Sequence, residues 1–356
     1  MGNNYLTHGI HSYHAKYIPS IPKYFIEKYS LKGDYVLDPF CGSGTTLLES
    51  ILLERNSVGV DLSFIATKIS KAKTSIVDPK LMEETFERFK SDYETIENVD
   101  FHEFPNKYVW YTKTNADVLD KILTTINKIE NTTIKNIYET AFSSILKRVS
   151  NKRKTWNNGY IADNVLPNVE FIGDVYKIFE NKIKEYNRNF KKLYKEVLNK
   201  EKVKTKVVNT DIMKYNSDKK FDLIVTSPPY PFAVDFVKYN RLTYYWFNQD
   251  VNLYAEKETG SRHKRSRKKA VEEFFSEMKK LYLHIFDYAK VGAHFCMTVG
   301  NTRRNNKNIN FYEWLVNLFT NNNWELVDST KRTLESQSMA QKRIKEEHVV
   351  VFKKIR

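Results

Sequence analysis

Asp38-Pro39-Phe40-Cys41-Gly42-Ser43-Gly44-Thr45-Thr46 is the stretch on which the reading of this chain turns. It follows a short apolar run, DYVLD at 34–38, and leads into an apolar helix-like stretch, TTLLESILLE at 45–54. SVGVD at 57–61 is a second short apolar run that ends in an acid, so the order is strand, glycine turn, helix, strand. Glycines in such a turn let the backbone approach a ligand closely, and the N-terminus of the following helix offers N–H groups. Asp61 lies 23 residues after Asp38, at the end of the next strand, where a carboxylate can hold ribose hydroxyls. The turn lacks the Gly-Lys-Ser/Thr of a phosphate loop and the full dinucleotide fingerprint. A nucleoside cofactor without a pyrophosphate is therefore expected; the plainer alternative is an ordinary Gly-rich turn.

The strand pattern resumes at KVVNTD (206–211) and FDLIVT (221–226). AHFCMTV (293–299) reads as another buried strand, and WELVDST (324–330) with EHVVVFKK (347–354) as a closing pair. Between the second and third strands lies a polar insertion with helical periodicity, seen in NIYETAFSSILKRVS (136–150) and in the Lys-rich stretch 174–204. A further amphipathic helix is expected over 271–289, with Phe274, Phe275, Met278, Leu281, Ile285 and Phe286 on one face. The expected fold is α/β, a doubly wound Rossmann-like sheet with a helical insertion. Residues 1–77 hold the N-terminal segment and the first half of the core, 78–203 the insertion, and 204–356 the second half.

The formal net charge is +15, which points to a polyanionic partner, since Lys and Arg that neutralise phosphates release counterions. Two cysteines, Cys41 and Cys296, make neither a disulfide framework nor a zinc spacing and read as packing residues. The eight histidines show no metal-ligand spacing, so no metal is expected. The opening MGNNYLTHGIHSYHAK has no apolar run, and no stretch approaches the roughly 18 apolar residues of a membrane span. A cytoplasmic, reduced protein with no membrane association is expected.

A second chemical segment, Thr226-Ser227-Pro228-Pro229-Tyr230, directly follows the apolar strand FDLIV. Two prolines fix the backbone and remove two N–H donors. Carbonyl acceptors, one hydroxyl and an aromatic ring remain, a set suited to a planar amino group. Together, DPFCGSGTT and TSPPY in this order resemble the S-adenosylmethionine-dependent amino-methyltransferases of DNA, the N4-cytosine and N6-adenine family. The resemblance implies that Asp38, Pro39, Phe40, Gly42, Gly44, Thr45 and Thr46 bind S-adenosyl-L-methionine, with Asp61 on the ribose. It implies that Ser227, Pro228, Pro229 and Tyr230 hold a flipped base. His11-Ser12-Tyr13-His14-Ala15-Lys16-Tyr17-Ile18-Pro19 is similar to the family's segment near the cofactor's methionine end, which implies contacts from Lys16 and Pro19. Asp211 is similar to the acid that contacts the adenine. Ser-Pro-Pro-Tyr is associated mainly with cytosine N4 and Asp-Pro-Pro-Tyr mainly with adenine N6, so cytosine is favoured and adenine stays open.

Two basic runs complete the pattern. Arg262, Lys264, Arg265, Arg267, Lys268 and Lys269 follow the second motif, and Lys147, Arg148, Lys152, Arg153 and Lys154 precede Trp156 in the insertion. Both are expected to contact double-stranded DNA, the plainer alternative being solvated faces. Tyr239, Tyr244, Tyr245 and Trp246, at helical spacing, read as core. The lack of a Pro-Cys segment argues against a carbon-5 cytosine enzyme. The rivals are an RNA or protein amine methyltransferase and a catalytically silent DNA-binding subunit. A restriction-modification role, with a cognate endonuclease on another chain, is the setting this reading implies; oligomeric state is left open.

Overall fold

The computed structural model describes residues 2–153, 166–304, 307–333 and 346–356. They fall into two compact units, one of residues 15–70, 201–236 and 253–356, the other of residues 1–14, 71–200 and 237–252.

The first unit is built on a seven-stranded sheet. Its strands are β1 (Tyr35–Asp38), β2 (Asn56–Asp61), β3 (Thr205–Asn209), β4 (Phe221–Thr226), β5 (Ala289–Gly300), β6 (Trp324–Thr333) and β7 (Glu346–Lys354). They lie in the order β3-β2-β1-β4-β5-β7-β6, parallel from β3 to β5, with β7 antiparallel to both of its neighbours. The chain winds outward from β1 through β2 to β3, then returns to lay β4 on the other side of β1. That reversal is a topological switch point, and ligands of open α/β sheets bind at the carboxyl ends of the strands there.

Alternation of side chains along each strand explains why the central strands read as unbroken apolar runs. Val36, Leu223, Val225 and Cys296 face one side, packed with Phe25 and Ile26 of α1 (Ser20–Tyr29). Leu37, Ile224, Phe295 and Met297 face the other, against α8 (Ala270–Phe286) and α9 (Phe311–Thr320). α2 (Thr45–Leu52) joins β1 to β2, and α3 (Phe64–Lys73) follows β2. The expected doubly wound fold is the one observed. A short hairpin of Thr302–Arg304 and Lys307–Ile309, which no sequence pattern announces, lies outside the main sheet.

The second unit is helical: α4 (Pro79–Thr95), α5 (Lys113–Asn127), α6 (Thr132–Leu146) and α7 (Val175–Val197). Each starts on a side-chain cap, Asp78, Thr112, Asn131 and Asp174, whose oxygen accepts an orphan backbone N–H. Trp246 is fully buried, with Phe104, Tyr111 and Phe142 edge-on to it. Buried Lys107 pairs with buried Asp120 at 2.8 Å.

The boundaries differ from the expected division at 77 and 203. Residues 1–14 and 237–252 belong to the helical unit because Ile10, Leu242 and Trp246 are buried in its core, and Tyr186 donates to the Ile10 carbonyl at 2.5 Å. These segments lie far apart in the chain, and helical periodicity within the insertion carries no signal of their meeting. Tyr244 and Trp246 are buried, as expected. Lys154 and Trp156 lie outside the described residues.

Candidate active site

β1 ends in Asp38, and the next residues bend back at once. Phe40 N–H donates to Asp38 Oδ1 at 3.2 Å, and Cys41 N–H donates to the Val60 carbonyl of β2 at 3.0 Å. Gly42 and Gly44 hold φ of +47° and +77°, values that an L side chain resists, and Gly44 caps α2. Thr45 and Thr46 fill the first turn of α2 and are buried. The carboxylate of Asp61, at the end of β2, accepts from Gly42 N–H through Oδ2 (2.9 Å) and from Ser63 N–H through Oδ1 (2.8 Å). Asp61 thus clamps the glycine turn, and each of its oxygens keeps acceptor capacity beyond the one backbone N–H.

Acidic residues also follow the neighbouring strand. Asp211, just past β3, accepts from Met213 N–H at 3.0 Å and caps a single 3₁₀ turn, Ile212–Lys214. Asp38, Asp61 and Asp211 therefore stand at the carboxyl ends of three adjacent strands, β1, β2 and β3. Carboxyls at these strand ends can meet ribose hydroxyls and a cationic group, so the residues present fit a sulfonium nucleoside cofactor. Burial pushes the Asp38 carboxyl up to about 7, aided by the Asp61 charge and opposed by hydrogen bonds; burial likewise lifts Asp61 to about 6.

β4 delivers the second motif beside the first. Val36 and Leu37 of β1 pair with Leu223 and Ile224, and Thr226 Oγ1 donates to Asp38 Oδ1 at 2.7 Å. Ser227, Pro229 and Tyr230 are half-buried, and the Tyr230 hydroxyl donates to Glu347 Oε1 on β7 at 2.7 Å. Lys16 is half-buried and Pro19 buried at the head of α1.

The segment after Tyr230 is zipped to the first basic run. Phe232 N–H donates to the Gly260 carbonyl (2.7 Å), Phe236 N–H to Glu258 Oε1 (2.6 Å) and His263 N–H to Asp235 Oδ1 (2.8 Å). Phe232 holds φ +57°, so this turn has a fixed shape. Arg262, Lys268 and Lys269 are exposed, and Lys264 and Arg265 are half-buried. Arg267 is exposed and pairs with exposed Glu256 at 2.7 Å, and its carbonyl accepts from Arg304. In the helical unit Lys152 and Arg153 are exposed, Lys152 forming a backbone bridge with Val169. Lys147 is withdrawn from solvent over the Tyr239 ring at 5.2 Å, and burial lowers its ammonium to about 8. Cys41 and Cys296 are buried, with thiols pushed up by desolvation. Asp235, Gly260 and Glu347 are absent from the residues expected of the site because no local motif marks them.

A strand order of 3-2-1-4-5-7-6, with a glycine turn after β1 and a Ser-Pro-Pro-Tyr after β4, is a Rossmann-like doubly wound sheet, and S-adenosyl-L-methionine is the cofactor that its turn and strand-end acids fit. The N6/N4 methyltransferase family model, described as DNA methylase, matches residues 2–72. The chain is similar to type II methyltransferase M.MvaI of Kocuria varians, 29% identical over 69% of this chain and 59% of that one. It is also similar to type II methyltransferase M.MjaII of Methanocaldococcus jannaschii, 23% identical over 85% and 73% of the two chains. Among solved structures, the rRNA methyltransferase AviRa of Streptomyces viridochromogenes aligns with 96% of this chain and 87% of its own at a TM-score of 0.40 and 8% identity. The chain thus resembles the DNA amino-methyltransferases and spans 59% of the length of M.MvaI. Among the described residues, no helix is long and apolar enough to cross a membrane.

Proposed function

We propose that this chain transfers a methyl group from S-adenosyl-L-methionine to the exocyclic amine of a flipped DNA base, with cytosine N4 favoured over adenine N6. The observation that carries it is the Thr226–Asp38 hydrogen bond, which locks the Ser-Pro-Pro-Tyr motif to the glycine turn at the switch point. The cofactor supplies an electrophilic methyl on a sulfonium. The glycine turn, the N-terminus of α2 and Asp61 and Asp211 would hold it, with Lys16 and Pro19 toward its amino-acid end.

The amine lone pair is conjugated into the base and is a poor nucleophile. The Ser227 hydroxyl and the carbonyl acceptors of the Pro-Pro segment would hold the amine hydrogens and favour a localised lone pair, which is positioning and electrostatic preorganisation. The base must leave the duplex at a cost of a few kcal/mol. Stacking on Tyr230 offsets this by ~1–3 kcal/mol. Exposed Arg262, Lys268 and Lys269, together with Lys264 and Arg265, would meet phosphates beside the site, and Lys152 and Arg153 would do so from the helical unit. A role in a restriction-modification system, with a cognate endonuclease as a separate chain, follows from that reading.

Nucleoside mass spectrometry of unmodified DNA treated with the enzyme and cofactor tests the assignment. N4-methylcytosine is expected, with no 5-methylcytosine, because both thiols are buried and neither lies in a Pro-Cys segment. N6-methyladenine as sole product would reverse the choice of base and keep the reaction class. 5-Methylcytosine would overturn the site.

A further inference from the structure

Glu347 is a carboxylate only 8% exposed, on the antiparallel strand β7, remote in sequence from every motif discussed above. Its two oxygens are both engaged: Oε1 accepts from the Tyr230 hydroxyl at 2.7 Å, and Oε2 accepts from Arg332 Nη2 at 2.7 Å. Arg332 is its cross-strand partner on β6 and supplies the counter-charge that a buried carboxylate requires. Thr298 Oγ1, on β5, lies 3.3 Å from the same phenol oxygen. A phenol has one proton, so with that proton directed to Glu347 the threonine hydroxyl is placed to donate into the phenol oxygen. Burial, reinforced by the Glu347 charge, pushes the Tyr230 phenol well above its ordinary range, so it remains a donor at neutral pH.

We infer that Glu347 is a positioning residue for the target base, gripping the far end of the Tyr230 ring so that the stacking surface has a set plane before a base arrives. The inference rests on the reading of Tyr230 as the platform for a flipped base. The geometry is specific to that task. Pro228 and Pro229 restrain the backbone at the near end of Tyr230, but two side-chain torsions would still let the ring swing. An acceptor at the hydroxyl removes both freedoms together. A charged acceptor does so more strongly than a neutral one, and the Arg332 pair holds that acceptor in place. Preorganisation of this kind acts on the rate at which a bound base reaches attack geometry, and leaves cofactor binding alone.

The test uses the full-length protein with unmodified plasmid DNA, reading single-turnover methylation at saturating DNA and S-adenosylmethionine affinity by calorimetry. Tyr230→Phe removes only the hydroxyl, and Glu347→Ala removes the acceptor together with the Arg332 pair; each should lower the single-turnover rate about tenfold, the scale of one charge-assisted hydrogen bond. Cofactor affinity should stay within about twofold, since neither group lies on the glycine turn. Glu347→Gln, which keeps an acceptor oxygen, should recover the rate to within about threefold of wild type. The double variant Tyr230→Phe/Glu347→Ala should be no slower than either single one, because both remove the same bond. Multiplicative losses in the double variant, or wild-type rates for Tyr230→Phe and Glu347→Ala alongside a slow Tyr230→Ala, would overturn the inference and leave Tyr230 as the platform. A Tyr230→Ala variant with full activity would instead overturn the reading of Tyr230 itself. If Glu347→Ala does not fold, Tyr230→Phe decides between these outcomes.

Discussion

Asp38 carries a carboxyl that water scarcely reaches, 3% exposed, at the junction of the two motifs. Its oxygen accepts from Thr226 and from Phe40 N–H, yet desolvation outweighs both and raises its pKa from 3.8 to about 7. A folded-state pKa above the unfolded one means that the native state binds the proton more tightly. The associated stability is fully present below pH 4 and is lost as pH rises through about 7. Asp38→Asn, which keeps an acceptor for Thr226 and carries no charge, should therefore gain on the wild type as pH rises from 4.5 to 8. The difference should be on the order of 1–4 kcal/mol, since each tenfold gain in proton affinity is worth about 1.4 kcal/mol. Melting curves of the cofactor-free proteins across that range would show it. A stability difference that does not change with pH would mean that Asp38 is already ionised at low pH.

Between elements, the glycines of this site carry two constraints at once. Ligand approach is the expected reason for Gly44, but α3 needs it first: a Cβ there would lie 2.2 Å from Ser70 Oγ, 2.9 Å from its Cβ and 3.0 Å from its Cα. Gly59 is similar; a Cβ would lie 2.6 Å from Leu47 of α2 and 2.8 Å from Cys41 Cβ, so β2 can approach the turn only without a side chain. Gly44→Ala should cost about 2–4 kcal/mol, from the left-handed backbone and from overpacking together. Adding Ser70→Gly should restore the overpacking share and leave the backbone share. Urea denaturation of the single and double variants measures both. If Ser70→Gly restores nothing, the helices adjust and the glycine is retained for another reason.

For the whole molecule, the net charge of +15 is a statement about association with a polyanion, and the structure refines which cations to credit. Arg267 carries an exposed ion pair to Glu256 that a phosphate would have to displace. Replacing Arg265, Lys268 and Lys269 together by Ala should weaken binding to all duplex sequences alike, and lower the magnitude of the salt slope by ~0.9 for each phosphate no longer neutralised. Arg267→Ala should leave the slope nearer to wild type. Titration of labelled duplex DNA over a series of salt concentrations separates the two. Loss of affinity for a single sequence would show that the run reads bases, and an unchanged slope would make it a solvated face.

How much of the molecule is legible in its sequence follows from the range of each signal. DPFCGSGTT, the acid 23 residues on and the Pro-Pro-Tyr after an apolar strand are local, because a positive φ, a helix start and a buried strand are each decided within a few residues. They suffice for the fold class and for the class of cofactor. The boundaries of the helical unit are not legible, since Ile10 and Trp246 enter its core from segments that no periodicity links to it. The bonds that assemble the site are hidden for the same reason. Thr226 meets Asp38 across 188 residues and Tyr230 meets Glu347 across 117. Sequence determined which chemical groups this protein carries at its strand ends; only the tertiary structure decided which of them touch. Contact between them depends on β4 lying against β1 and β7 against β5, and pairings of that kind are set by the packing of the whole sheet.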